Sequence, residues 1–246
     1  MTLSFVVLGC SGSYPGKGAA CSGYLVQGGG VNVVVDMGPG TLANLQRHLP
    51  LGEIDAVVLT HRHPDHWTDL TGLEVAWRYG LERGGLAVYG TSETGELAER
   101  LGGELAPTVV WHDIADGDEV EIGGLRLRFA RTIHYVETLA VRIDDTQSGA
   151  SLAYSADTGP GWSFSSLGPG IDVGLCESTH LAADEARGTL HLSARQAGAM
   201  ARSAGVARLV LTHLWPEFDP EAFRIEGSDA FGAPVEIAIT NERYHL

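Results

Sequence analysis

The sequence is poor in lysine. Of its 16 cationic side chains only Lys17 is a lysine, and the arginines that make up the rest form no basic run. Against them stand 31 carboxylates, for a net charge of −15. A protein that grips long nucleic acid needs a basic patch, because phosphate contacts supply most of the non-specific affinity. No such patch is written here, so a long polyanionic partner is not expected. A small phosphorylated substrate stays open, because bound cations can dominate the field at one site. Cysteine is also scarce: Cys10, Cys21 and Cys176 are odd in number and contain no C-x-x-C pair. That argues against a disulfide framework and for free thiols in a reducing compartment, packed as small hydrophobes. No apolar stretch reaches about 18 residues, so no membrane span is expected. The opening "MTLSFVVLGCSGS" has no basic flank and reads as a first strand, not a signal peptide. A cytoplasmic location is the expectation.

What is present is the material of one sizeable core. The 246 residues, 44% hydrophobic and 19% charged, suit a single domain over residues 1–246. The 33 glycines are spread along the chain, which implies many tight turns between short elements. Strand signals fall at 3–8, 23–27, 31–36 and 56–60, with a short helix over 39–48. Helical spacing follows over 68–79, then a strand at 86–89 and a helix capped by Ser92 and running to about Leu101. Residues 108–112, 119–122 and 125–132 read as strands, the last two joined by the hairpin signal Gly123-Gly124. Further strands are expected at 139–143, 151–154, 172–176 and 208–212, with a helix over 194–204 between Ser193 as cap and Gly205 as stop. After Pro216 the pattern weakens to a helix near 220–225 and a last strand at 235–239. One echo stands out: "VVLTH" (57–61) returns as "LVLTH" (209–213), two buried strands that each end in Thr-His. In open α/β sheets ligands collect at that edge.

The first echo opens "VVLTHRHPDHWTDL", in which His61, His63, Asp65 and His66 sit within six residues. His61 and His63 are two apart and face the same way in extended backbone, while Pro64 bends the chain and turns Asp65 and His66 elsewhere. Four such groups crowd a single tetrahedral ion, so two ions sharing the loop is the easier geometry. The competing reading is a solvated histidine-rich turn.

"THRHPDH" resembles the signature of the metallo-β-lactamase superfamily. The resemblance implies an α/β fold, an αββα sandwich of two mixed β-sheets flanked by helices. It implies further ligands in a fixed order, and the chain offers them: His134 in "RTIHYVETLAVRI", Asp157 in "LAYSADTGP" and His213 in "LVLTHLWP". The implied assignment is His61, His63 and His134 on one divalent ion, Asp65, His66 and His213 on the other, and Asp157 bridging both. The nitrogen and oxygen donors suit two Zn²⁺ ions and tolerate Mn²⁺ or iron. Asp36, in "VVVDMGPGT", resembles the family's aspartate that fixes a ligand imidazole from behind; a helix-capping acid is the other reading.

Within the superfamily, "HLSARQAGAMARSAGVARLVLTH" is similar to the ribonuclease Z-like branch of phosphodiesterases. The resemblance makes His191 the general acid that protonates the leaving oxygen, with Asp65 joining it in the catalytic pair. It implies hydrolysis by metal-hydroxide attack on phosphorus between two ions about 3.5–4 Å apart. Glu177 is a candidate to orient His191, against an ordinary surface carboxylate at a strand end. True ribonuclease Z carries a long tRNA-clamping arm between the third histidine and the bridging aspartate; here only 22 residues lie between His134 and Asp157. The expected substrate is therefore a small phosphodiester, cyclic nucleotides included. The rivals are tRNA 3′-processing, a lactone or thioester hydrolase on the same metals, and metal binding without catalysis. Homodimers are common in the branch resembled, though no residue pattern marks an interface. His48, His112, His180 and His245 match nothing in the pattern; His180 is a candidate pocket residue, and Trp67 and Trp215 are expected to pack in the core or wall the pocket.

Overall fold

The computed structural model describes residues 2–246. The chain first lays down β1 (Ser4–Gly9), β2 (Gly23–Gly28), β3 (Val31–Met37), β4 (Ala56–Leu59), β5 (Leu86–Gly90) and β6 (Val109–Asp113). It then builds β7 (Glu119–Ile122), β8 (Leu125–Arg131), β9 (Leu139–Asp145), β10 (Ser151–Tyr154), β11 (Val173–Glu177), β12 (Arg208–Thr212) and β13 (Glu236–Ile237), and returns with β14 (Arg243–His245). Two seven-stranded sheets result, ordered β14-β1-β2-β3-β4-β5-β6 and β13-β12-β11-β10-β9-β8-β7. Both are mixed. β1, β2 and β3 pair antiparallel and β3 to β6 parallel; β7 to β10 pair antiparallel and β10 to β13 parallel. This is the sandwich the sequence motif implied.

Side-chain alternation along the strands explains the layers. Phe5, Val7, Tyr24, Val26, Val33, Val35 and Val58 meet Leu127, Phe129, Val141, Ile143, Leu152 and Val210 between the sheets. The neighbours Val6, Leu8, Leu25, Val34, Val57 and Leu59 point the other way. They pack on α1 (Thr41–Leu45), α2 (Pro64–Trp67) and α3 (Leu70–Val75) through Leu45, Trp67, Leu70 and Leu73. On the opposite outer face Leu209 and Leu211 meet α5 (Ala194–Ser203) and α6 (Pro220–Phe231) through Ala197, Ala201, Phe223 and Phe231; α4 (Ser92–Gly102) lies with the first group.

Several expectations shift. The helix after Pro39 starts only at Thr41, because Gly40 takes a left-handed φ of 93°. The helix expected over 68–79 changes at Ala76 into a π-turn that runs to Gly80. Thr91, not Ser92, caps α4: its hydroxyl accepts from the Thr94 N–H. Ser193 caps α5 as expected, in a full capping box with Gln196. α6 runs past Ile225, where the weak pattern after Pro216 ended it, through Gly227 to Phe231. A Cβ at Gly198 would lie 2.5 Å from the Gly227 carbonyl, so these glycines let α5 and α6 touch backbone to backbone. The final strand is β14, against β1, where the weak pattern after Pro216 gave no signal.

The α5–α6 contact yields a prediction. Gly198→Ala improves helix propensity but must push the helices apart, so it should destabilise the protein by ~1–3 kcal/mol. Chemical denaturation checks this; an unchanged or raised midpoint contradicts the packing account.

Candidate metal centre

The strand ends at one edge of the sandwich carry the titratable groups. The β4 end leads into His61 and His63, and α2 then presents Asp65 and His66, with Pro64 harmlessly at its first turn. His134 follows β8, Asp157 follows β10 and His213 follows β12. Asp36 in β3 (φ 58°), Ala156 (φ 49°) and His213 (φ 55°) all sit in the left-handed region without being glycine. Each such turn costs roughly 1–2 kcal/mol, so the surrounding contacts must hold it. The approach of the loops is equally tight: a Cβ on Gly38 would meet the Asp65 carbonyl at 1.9 Å, and one on Gly12 would meet the His213 carbonyl at 2.5 Å.

All seven residues singled out by the sequence pattern come together, in two overlapping clusters. In the first, His63 Nδ1 lies 3.2 Å from His61 Nε2 and 3.0 Å from His134 Nε2. Asp157 Oδ2 is 3.7 Å from both His61 Nε2 and His134 Nε2. In the second, His66 Nε2 lies 3.5 Å from Asp65 Oδ2 and 3.2 Å from Asp157 Oδ1. His213 Nε2 lies 3.3 Å from Asp65 Oδ2 and 3.4 Å from Asp157 Oδ1. Asp157 thus turns one oxygen to each cluster. Both groups have ligand atoms close enough to share one ion.

The outer hydrogen bonds fix the rings. His134 Nδ1 is 3.0 Å from the Leu190 carbonyl, which only accepts, so Nδ1 carries the proton and Nε2 offers a lone pair. His66 Nδ1–H donates to Asp36 Oδ2 at 2.7 Å. Thr60 donates its hydroxyl to Asp36 Oδ2 at 3.0 Å and accepts from His61 Nδ1–H at 3.0 Å. His213 Nδ1–H donates to the Thr179 hydroxyl at 2.8 Å, which itself donates to Glu177 Oε2 at 3.0 Å. Four of the five ligand-type imidazoles therefore turn Nε2 inward, and His63 turns Nδ1. His66 Nε2 and Asp157 Oδ1 are buried without a hydrogen-bond partner. Inward nitrogens, carboxylates and orphaned polar atoms are what two divalent cations would satisfy, and all donors are nitrogen or oxygen. The residues fit the group.

Burial, reinforced by neighbouring imidazoles, holds His61 well below the usual histidine range and lowers His63 and His134. His66 goes the other way: burial opposes its charge, but Asp157, Asp65 and Asp36 outweigh burial and hold it well above the usual range. Asp65 and Asp157 are buried yet held far below the ordinary carboxylate range, Asp65 chiefly by His66 and Asp157 chiefly by His213 and His66.

His191 stands beside the clusters, its side chain 14% exposed, stacked 5.5 Å from His213. Glu177 is fully buried, not the surface carboxylate it resembled, and its Oε1 lies 3.0 Å from His191 Nδ1. The N–H groups of Thr158, Thr179 and Leu192 also donate to it. His180 is buried between His191 and Trp215, each 6.1 Å away, and both its nitrogens lack partners. Trp215 is half-buried against Tyr14, whereas Trp67 joins the core. His48 bonds Asn241, His112 stacks on Tyr89 and His245 is exposed in β14. Sequence reasoning passed over Thr60, Thr179, Tyr24 and Tyr154. The repeated Thr-His was the available signal for Thr60, and for Thr212, which Tyr24 contacts.

A family model described as a beta-lactamase superfamily domain matches residues 31–214. The Mycobacterium tuberculosis protein Rv1339 is 37% identical over 256 residues, covering 100% of this chain and 93% of its own. The probable metallo-hydrolase YhfI of Bacillus subtilis is 31% identical over 241 residues, covering 96% and 97%. Its crystal structure superposes with a TM-score of 0.91 over 99% of both chains, at 29% identity. A ribonuclease Z of Methanopyrus kandleri is 30% identical over 258 residues, covering 91% of each chain.

The protonated His66 gives a prediction. A cation at its Nε2 must displace a proton held above the usual value of about 6.5, so below that pH divalent-cation affinity should fall about tenfold per pH unit. Chelator competition across pH measures this; an affinity independent of pH would contradict the protonation assigned to the pocket.

Proposed function

The chain belongs to the beta-lactamase superfamily, and on that premise we propose that it is a dinuclear-metal hydrolase of small phosphodiesters, cyclic mononucleotides among them. His61, His63 and His134 would hold one divalent cation, Asp65, His66 and His213 the other, and Asp157 both. Zinc suits these donors, with manganese or iron as alternatives. When bound, the cations supply Lewis acidity at the phosphoryl group and an activated water near neutral pH.

The chain's own residues supply the rest. The observation that carries the reading is the His191–Glu177 pair at the rim of the clusters. Glu177 fixes Nδ1, and in this reading Nε2, which makes no hydrogen bond among the described residues, serves the leaving oxygen. Burial disfavours the imidazolium, but Glu177 outweighs it and the ring is pushed up to about 9. In the metal-free protein this keeps His191 protonated at neutral pH, the form a general acid needs. A departing alkoxide needs that proton.

Similarity to a ribonuclease Z favours tRNA 3′-processing as the second reading. Against it stand the net charge of −15 and the short span between His134 and Asp157, which holds only β9, a turn over 146–150 and β10. A lactone or thioester hydrolase is the third reading, and it makes less use of His191. A screen of cyclic nucleotides, a chromogenic diester, precursor tRNA and lactones on the metal-loaded protein decides. Diester turnover without tRNA cleavage supports the proposal; activity on tRNA or lactones alone contradicts it.

His191→Ala should keep both cations and lose about 10²–10⁴-fold in kcat on alkyl diesters. The loss should be far smaller with a p-nitrophenolate leaving group, which departs without a proton. Metal analysis and kinetics check this; loss of a cation would make His191 a ligand, which its closeness to Asp157 and His213 also permits. Glu177→Gln removes the charge that raises His191, so the alkaline limb of kcat should move to lower pH. An unmoved limb would contradict the pairing.

A further inference from the structure

Two buried tyrosines lie between the sheets directly behind the centre, and each reaches across to the opposite sheet. Tyr24, on β2 of the first sheet, has its hydroxyl 2.7 Å from the hydroxyl of Thr212 at the end of β12 in the second. Tyr154, at the end of β10 in the second sheet, donates to Asp36 Oδ2 in β3 of the first at 3.1 Å. The two rings meet edge to face at 4.9 Å. Both are almost wholly buried, at 1% and 2% exposure, so neither hydroxyl has water as an alternative partner.

The two chains of contact end on the same cluster. Tyr154 reaches Asp36, and Asp36 accepts the Nδ1–H of His66. Tyr24 reaches Thr212, the residue before His213. Asp36 and His213 are themselves two of the residues held in left-handed backbone, with φ of 58° and 55°. A residue in that region keeps its place only where neighbours fix it. His66 and His213 come from opposite sheets, so their separation depends on how the sheets are locked together at this point.

We propose that Tyr24 and Tyr154 are positioning residues that tie the two sheets together and set the spacing of His66 and His213, and with it the affinity for the second cation. The inference rests on the reading that the pocket holds two cations. The first cluster is reached only in part: Asp36 also accepts from Thr60, whose hydroxyl receives the His61 Nδ1–H, but His134 is fixed by the Leu190 carbonyl and His63 follows in the loop after β4. Removing a tyrosine hydroxyl should therefore weaken one binding step more than the other, and Tyr24, which reaches only Thr212, should discriminate most sharply. Groups that orient ligands from behind typically contribute 10–100-fold to metal affinity.

The test is stepwise Zn²⁺ binding to the full-length metal-free protein, by competition with a chromophoric chelator. Tyr24→Phe, Tyr154→Phe and Thr212→Val are compared with the wild type, and the denaturation midpoint of each metal-free variant is measured in parallel. The wild type is expected to bind two equivalents. Tyr24→Phe and Thr212→Val should weaken one step by about 10–100-fold and leave the other within a few-fold, whatever the midpoint, and Tyr154→Phe should weaken that same step more than the other. Equal weakening of both steps, or weakening that simply follows the midpoint, would mark a general structural role and overturn the inference. Unchanged affinities with two equivalents bound would overturn the tie alone. A wild type that binds fewer than two equivalents would overturn the dinuclear reading and this inference together. Thr212→Val keeps both tyrosines, so it remains informative if a phenylalanine variant fails to fold.

Discussion

The structure depends on one carboxylate placed where four imidazoles converge. Asp157 is buried and turns Oδ2 toward His61 and His134 and Oδ1 toward His66 and His213. A buried anion is costly unless compensated. Here the compensation is a ring of nitrogens drawn from both sheets, so the centre exists only if the sandwich closes at this edge. The strand ends bend through left-handed turns at Asp36, Ala156 and His213 to bring these groups inward. The glycines at 12 and 38 let the loops lie against those turns. Backbone strain and close packing are concentrated where the polar groups meet.

Around that carboxylate the outer contacts do separate jobs. Asp36, Thr60, Thr179 and the Leu190 carbonyl take the outward protons of the rings and leave the other nitrogens facing inward. Glu177 takes the Nδ1 proton of His191, whose ring stands at the rim of the clusters. Thr179 links the two sets: its hydroxyl touches His213, Glu177 and His191. A ligand-type histidine and the proposed acid are therefore oriented by one network, which keeps their relative position fixed.

Much of this was legible in the chain itself. Four metal-competent side chains in six residues are too dense for a surface turn that follows a buried strand. His134, Asp157 and His213 could be sought because the resemblance to the metallo-β-lactamase superfamily implies further ligands in a fixed order. The rest depended on contacts that no local pattern carries. For Glu177 the chain left two readings open, a partner of His191 or a surface carboxylate, since its burial rests on donors from Thr158, Thr179 and Leu192, which only the fold assembles. Tyr24 and Tyr154 read as ordinary strand residues. α6 was cut short at Ile225 because the pattern weakens after Pro216, whereas the helix runs to Phe231 on packing that only the fold supplies.

Anomalous diffraction from crystals grown with zinc tests the central claim most directly. The account predicts two strong peaks in this pocket, one among His61, His63 and His134, the other among Asp65, His66 and His213, with Asp157 between them. A single peak, or peaks that leave Asp157 without a cation on either oxygen, would contradict it.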